Sequence, residues 1–234
     1  APSFAGINDI SDLQDRAIQF ETTRIRDREG NVLYQINDPQ GGLRDYVPLE
    51  EISPWLIVTT VATEERDFFV NPGFSIPAIA RAVVQNYREG AAVSGASTIT
   101  QQLTRALLLP EEERYERSYA RKIKEIFLAA ELGRRFSKEE ILELYLNQIY
   151  YGNLAYGSEA AAQTYFNKSA KDLNLPEAAF LAGIPQAPAV WDPVTNREDT
   201  LGRMQAVLAL SLEAECLNMG STELQLPCVD EATP

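Results

Sequence analysis

The run from Pro54 to Gly73, PWLIVTTVATEERDFFVNPG, places the tightest limit on this chain. Its apolar residues recur at helical spacing, so the segment is predicted to form a helix with a buried face, and Pro72 and Gly73 stop it. It also carries two adjacent carboxylates, Glu64 and Glu65, directly before the apolar pair Phe68 and Phe69. A helix that must bury its apolar face thus delivers an acid beside low-dielectric surface. Burial there raises a carboxyl pKa and suits the group to act as a general base. A second stretch, GASTITQQ at 95–102, is small and hydroxyl-rich and ends in paired amides. That composition suits close backbone approach and hydrogen bonding to a polar ligand.

The chain around these stretches is mainly helical. Upstream, TTRIRDREGNVLYQI alternates about Glu29-Gly30-Asn31 and reads as two short strands with a tight turn. Residues 37–49, with Pro39, Gly41, Gly42 and Pro48, read as a loop. Downstream, helices are predicted over 77–88, over 97–109 until Pro110, and over 118–132 with Gly133 closing it. Ser137 and Glu140 form a capping-box pattern that opens a helix running to about Tyr150. Further helices are predicted at 158–166 and 176–182, with Glu159 capping or bracing. Residues 90–95 are small and apolar and are expected to be mobile. Residues 213–234 read as irregular.

Composition narrows the chemistry. The chain has no histidine, which removes the commonest imidazole base and the usual transition-metal ligand, so acid–base work falls to carboxylates. A formal net charge of −13 excludes a general nucleic-acid surface. Cys216 and Cys228 are the only cysteines; a disulfide and two free thiols are both compatible with their spacing. No stretch approaches the roughly 20 apolar residues of a membrane-spanning helix, and the N-terminus lacks a signal-peptide pattern, so the chain reads as a soluble piece.

In the helix over 118–132, Arg117, Arg121 and Glu125 are spaced by four and share one side. Ile123, Ile126, Phe127 and Ala130 are predicted to be the side that buries. The charged strip is either a surface ion-pair ladder worth tenths of a kcal/mol or a ligand-facing cation cluster.

Taken in order, EERDFFVNPG, GASTITQQ, RKIKE at 121–125 and KEEILELYLNQIYYG at 138–152 resemble the peptidoglycan glycosyltransferase domain (glycosyltransferase family 51) of class A penicillin-binding proteins and monofunctional transglycosylases. The likeness extends over about 23–204. It implies a lysozyme-like larger helical lobe with a small flexible lobe and a short N-terminal hairpin. The expected division is an N-terminal segment at 1–22, the glycosyltransferase domain at 23–210 and a tail or linker at 211–234. Ile76, Ile79, Val83 and Val84 would lie in the smaller lobe, as core or facing lipid.

The implied reaction polymerises lipid II: an acceptor 4-hydroxyl attacks the anomeric carbon of a donor carried on a lipid pyrophosphate, inverting an α linkage to β. By this resemblance Glu64 is the general base and Glu125 the second catalytic glutamate, orienting cations or holding a divalent ion. Ser97, Thr98, Gln101, Gln102, Arg105, Arg117, Arg121, Lys122 and Asn147 are assigned to substrate binding, with Ser97 or Thr98 alternatively capping a helix. Glu65, Phe68, Asn71, Gly73 and Lys138 are supporting residues. Glu65 stands where the family has aspartate, Asn71 where it has histidine and Ala96 where it has glycine. Tyr145, two residues from Asn147 on the same helix, is expected in the core. Arg203 falls near the family's last, weaker motif.

Oxygen ligands would favour Mg2+ or Mn2+, with Glu65 or Glu125 as candidates. Implied partners are lipid II, the growing glycan strand and the membrane surface, with a transpeptidase domain in the full-length chain and no nucleic acid. The implied location is the extracytoplasmic face of the bacterial cytoplasmic membrane, by way of a transmembrane anchor outside this sequence. The rival readings are a catalytically impaired scaffold that binds lipid II or peptidoglycan, motivated by the three departures, and a lysozyme-like enzyme that cleaves glycan.

Overall fold

The computed structural model describes residues 13, 22–30, 32–36, 42–73, 97–114, 116, 118–214 and 216–230. The helix expected over 77–88, the segment 90–95 with its small lobe, Ala96 and Arg117 lie outside the described residues. The described part is mainly helical, and its residues group into two compact units that interleave along the chain. One unit holds Asp67–Tyr145 and Asn218–Leu224 with Leu13; the other holds Leu146–Leu217 with the described residues of 14–66 and 225–234.

The second unit begins with the expected hairpin. Strands β1 (Thr23–Arg26) and β2 (Val32–Ile36) pair antiparallel, with Ile25 opposite Tyr34. The stretch read as loop contains a two-residue strand, β3 (Leu43–Arg44), which pairs in parallel with β4 (Ala155–Tyr156). Helix α1 (Pro54–Glu64) starts where the Ser53 hydroxyl accepts from the Trp55 amide and Pro54 occupies the first turn, which has no need of its N–H. Its Leu56–Ala62 run is buried continuously, so this helix is central rather than half-exposed. Two helices pack on it: α7 (Leu175–Gly183), opened by an Asn174–Glu177 capping box, and α8 (Arg197–Ala214), which buries Thr200, Val207, Ser211 and Ala214 along one stripe. Burial of those apolar groups, at about 25 cal/mol per Å², is the main term holding the bundle. Ahead of α7 in sequence lies α6 (Ser158–Phe166), with the expected bounds. Glu159 braces the following 3-10 turn by accepting from the Ala170 amide at 2.7 Å.

In the first unit, α2 (Ile99–Leu107) packs on α4 (Tyr119–Arg135), with the four-residue α3 (Glu111–Arg114) between them in sequence. Helix α5 (Lys138–Gln148) follows, its first turn held by the Ser137–Glu140 box at 2.7 and 3.2 Å as the sequence indicates.

Four expectations are corrected. The helix from Pro54 ends at Glu64, so Arg66 to Val70 form turns rather than a last helical turn. Gly133 does not close α4: the helix runs on to Arg135, and Gly133 is required because a Cβ there would stand 2.9 Å from the Pro72 carbonyl oxygen. The buried stripe of α4 is Glu125, Leu128, Ala129 and Leu132, while Ile123 and Phe127 are 68% and 49% exposed. Both sides of this helix carry apolar residues at helical spacing, and pairing of Glu125 with two cations allows its side to go inward. Finally, α8 reaches Ala214, into the stretch read as irregular. Of the two readings left open for the cysteines, the tail carries the Cys216–Cys228 disulfide.

Candidate functional site

Lys122 is the hub of the first unit. Projecting from α4, its ammonium donates to the Ser97 hydroxyl at 2.7 Å, to Gln101 Oε1 at 3.1 Å and to Glu125 Oε1 at 2.6 Å. Arg121 holds the other oxygen of Glu125 at 2.5 Å and donates to the Glu116 carbonyl at 2.6 Å. Glu125 is fully buried and Lys122 partly so. Burial pushes the Lys122 ammonium below its ordinary value; Glu125 pulls it up, and the positive charges of Arg105 and Arg121 push it down. Two cations, Lys122 and Arg121, thus pair with one buried carboxylate, and the charge of Arg105 acts on Lys122, so cations gather here on a chain whose overall charge is −13.

The residues of the hydroxyl-rich stretch divide. Ser97 meets the cluster directly. Thr98 and Gln101 form a capping box at the start of α2, the Thr98 hydroxyl also donates to the Gly73 carbonyl at 2.8 Å, and both side chains are buried. The capping role therefore falls to Thr98, while Gln101 serves the cap and Lys122 at once. Its Nε2 is buried and has no partner among the described residues. Gln102 accepts from the Tyr145 hydroxyl at 3.3 Å, and Tyr145 is in the core as expected.

The turn after the acidic pair is built from the supporting residues. Asn71 Oδ1 accepts from the Gly73 amide at 2.7 Å and from Lys138 at 3.3 Å. The Lys138 ammonium lies 4.5 Å from the centre of the buried Phe68 ring. Gly73 has φ +95°, and a Cβ on it would meet the Ala129 carbonyl oxygen at 2.9 Å, so glycine is required twice over.

In the second unit, Glu64 is the last residue of α1 and half-buried, with Glu65 as its C-cap. The Glu65 amide donates to the Val61 carbonyl at 2.9 Å. Arg66 fixes the chain beyond them by donating to the Glu213 and Ala214 carbonyls at the end of α8. Tyr151, a residue that sequence reasoning missed, is fully buried, with no acceptor for its hydroxyl among the described residues. Burial raises its pKa, and the negative charge of Glu64 adds to the rise, so the phenol lies within the field of that carboxylate. Asn147 has a different place from the one its motif suggested. Its amide is buried and clamps the backbone of Val47, accepting at 2.9 Å and donating at 2.8 Å. Both functional groups of that amide hold the 45–48 loop. Arg203 donates to the Gly183 carbonyl at 3.3 Å and ties α8 to α7.

As a metal site, Glu125 does not fit, because each of its oxygens is taken by a cation at 2.5 or 2.6 Å. Among the described residues no group of three His, Cys, Asp or Glu side chains comes together.

The sequence model of the Transglycosylase family matches residues 29–211. The chain belongs to the Transglycosylase family. It is 49% identical over 170 residues to penicillin-binding protein 1A of Aquifex aeolicus, covering 73% of this chain and 23% of that protein. It is 39% identical over 206 residues to penicillin-binding protein 1A of Vibrio cholerae, covering 88% of this chain and 24% of the other. Penicillin-binding protein 2D of Bacillus subtilis is 39% identical over 190 residues, or 81% of this chain and 27% of that one. The chain thus spans about a quarter of the length of these relatives. No helix among the described residues is long and apolar enough to cross a membrane.

Proposed function

We propose that this transglycosylase polymerises lipid II into β-1,4 glycan strands. The cation cluster carries the reading: Lys122, Arg121 and Arg105 gather at a partly buried position where Ser97 and Gln101 add polar groups. Such a site is complementary to a diphosphate whose charge grows as its bond to sugar breaks. Glu64 takes the proton of the acceptor 4-hydroxyl. That oxygen forms its bond to the anomeric carbon from the face opposite the leaving group, and the electron pair of the breaking C–O bond goes to the pyrophosphate. Glu125 acts through Lys122 and Arg121, fixing the positions of both.

A divalent ion, Mg2+ or Mn2+, enters this proposal as a companion of the substrate's diphosphate, since the described acidic residues do not make a resident site. The partners proposed are lipid II, the glycan strand and the membrane surface, together with a transpeptidase domain on the same polypeptide. The relatives are named penicillin-binding proteins and are about four times longer than the matched region. We place the domain outside the cytoplasmic membrane; the Cys216–Cys228 disulfide supports an oxidising compartment.

The cluster is tested by glycan polymerisation from purified lipid II with Lys122→Met. A fall of about a hundredfold or more in kcat/KM is expected for loss of a cation acting on the leaving group. Unchanged turnover by a folded variant would remove the cluster from the reaction.

A further inference from the structure

The tail beyond α8 folds back on the turn that follows the acidic pair. Residues 217–227 are closed into a loop by the Cys216–Cys228 disulfide and braced internally: the Gly220 amide donates to Asn218 Oδ1 at 3.3 Å, the Thr222 amide to the Met219 carbonyl at 3.2 Å, and the Leu224 amide to the Thr222 hydroxyl at 3.2 Å. The tip then makes contacts far away in sequence. Gly220, at φ +56°, comes so near that a Cβ on it would stand 3.0 Å from the Phe69 carbonyl oxygen and 3.2 Å from Val70 Cγ1. The Thr222 hydroxyl donates to Glu139 Oε1 in the first turn of α5. Burial acts upward on the Glu139 carboxyl, yet hydrogen bonds from Thr222, its own amide, Ser137 and the Glu223 amide hold it below the ordinary value. One residue before Glu139, Lys138 supports the same turn through Asn71 and the Phe68 ring.

We propose that the disulfide-closed loop is a clasp on the Asp67–Gly73 turn and the start of α5, and that opening the disulfide loosens both while leaving the helical core intact. No cysteine makes these contacts; the disulfide acts by shrinking the set of conformations open to residues 217–227. Within the turn the Val70 and Asn71 amides donate to the Asp67 carbonyl at 3.1 and 3.0 Å, and the Gly73 amide to Asn71, with no helical ladder beneath them. An outside brace therefore matters more there than inside α7.

The test is amide hydrogen exchange on the folded chain, oxidised and then reduced with dithiothreitol. Through a mixed disulfide, the reagent leaves two thiols on the protein and departs as its cyclic disulfide, so two electrons and two protons are transferred. Peptides over 66–73 and 137–140 are expected to exchange about tenfold faster after reduction, while α7 is unchanged. Acceleration confined to 217–227 would overturn the clasp, and equal acceleration in α7 would show a general staple instead. Thr222→Val, with the disulfide intact, removes the tip contact to Glu139 together with the internal bond from the Leu224 amide, and is expected to speed exchange at 137–140; unchanged rates there would also count against the proposal.

Discussion

Tyr151 is buried and its hydroxyl meets no acceptor among the described residues, so folding buries that group without a protein partner there. Tyr151→Phe is expected to raise unfolding free energy by about 1 kcal/mol, read as a higher urea midpoint. The pH dependence follows from the raised pKa. Below pH 10 the phenol is neutral in both states, and above it the unfolded chain ionises first, so stability falls as pH climbs from 10 toward the folded value. The Phe variant should lose this alkaline fall. Glu125 behaves in the opposite way: Glu125→Ala leaves Lys122 and Arg121 without their shared carboxylate. A cost of about 2 kcal/mol is expected by denaturant titration, below the range for fully buried pairs because Lys122 is partly exposed. The resemblance of their motifs to the family's marked Glu64 and Glu125. It did not mark Tyr151, because a tyrosine beside the tyrosine at 150 looks the same whether it is core or neighbour to a carboxylate.

Among the elements, α4 is where pattern and packing part. The sequence reading left its Arg121–Glu125 strip as a surface ladder or a ligand-facing cluster and put the Ile123–Phe127 side inside; the fold buries Glu125 and exposes Ile123 and Phe127. Periodicity gives a helix its two sides but does not choose between them when both carry apolar residues, and here ion pairing of Glu125 decides. The same limit applies to Gly133, read as a helix end although its role is to admit the Pro72 carbonyl, a contact far off in sequence. Gly133→Ala is therefore expected to destabilise by about 1–2 kcal/mol despite the better helix propensity of alanine. Gly202 in α8 is its control: a Cβ there meets nothing within 4 Å, and Gly202→Ala should stabilise by roughly 0.5–1 kcal/mol. Paired thermal or urea melts compare the two. Hairpin, caps and the α6 bounds were legible because turn residues and capping boxes act within a few residues.

At the scale of the whole molecule, a net charge of −13 and a local cation cluster have to coexist. Long-range repulsion from anionic vesicles should slow capture of membrane-held substrate at low salt and ease as the Debye length shrinks to about 10 Å near 0.1 M. Chelation of divalent ions should leave the melting temperature of the chain alone unchanged, because the described acidic groups gather no resident site. Comparison of the parent chain with Glu64→Gln on purified lipid II in liposomes, with Mg2+ present, tests the proposed base of the glycan polymerase. Glycan strands are expected from the parent, and a loss of at least about a hundredfold in the variant, with its fold intact. Strands formed equally well by Glu64→Gln would contradict the proposed base.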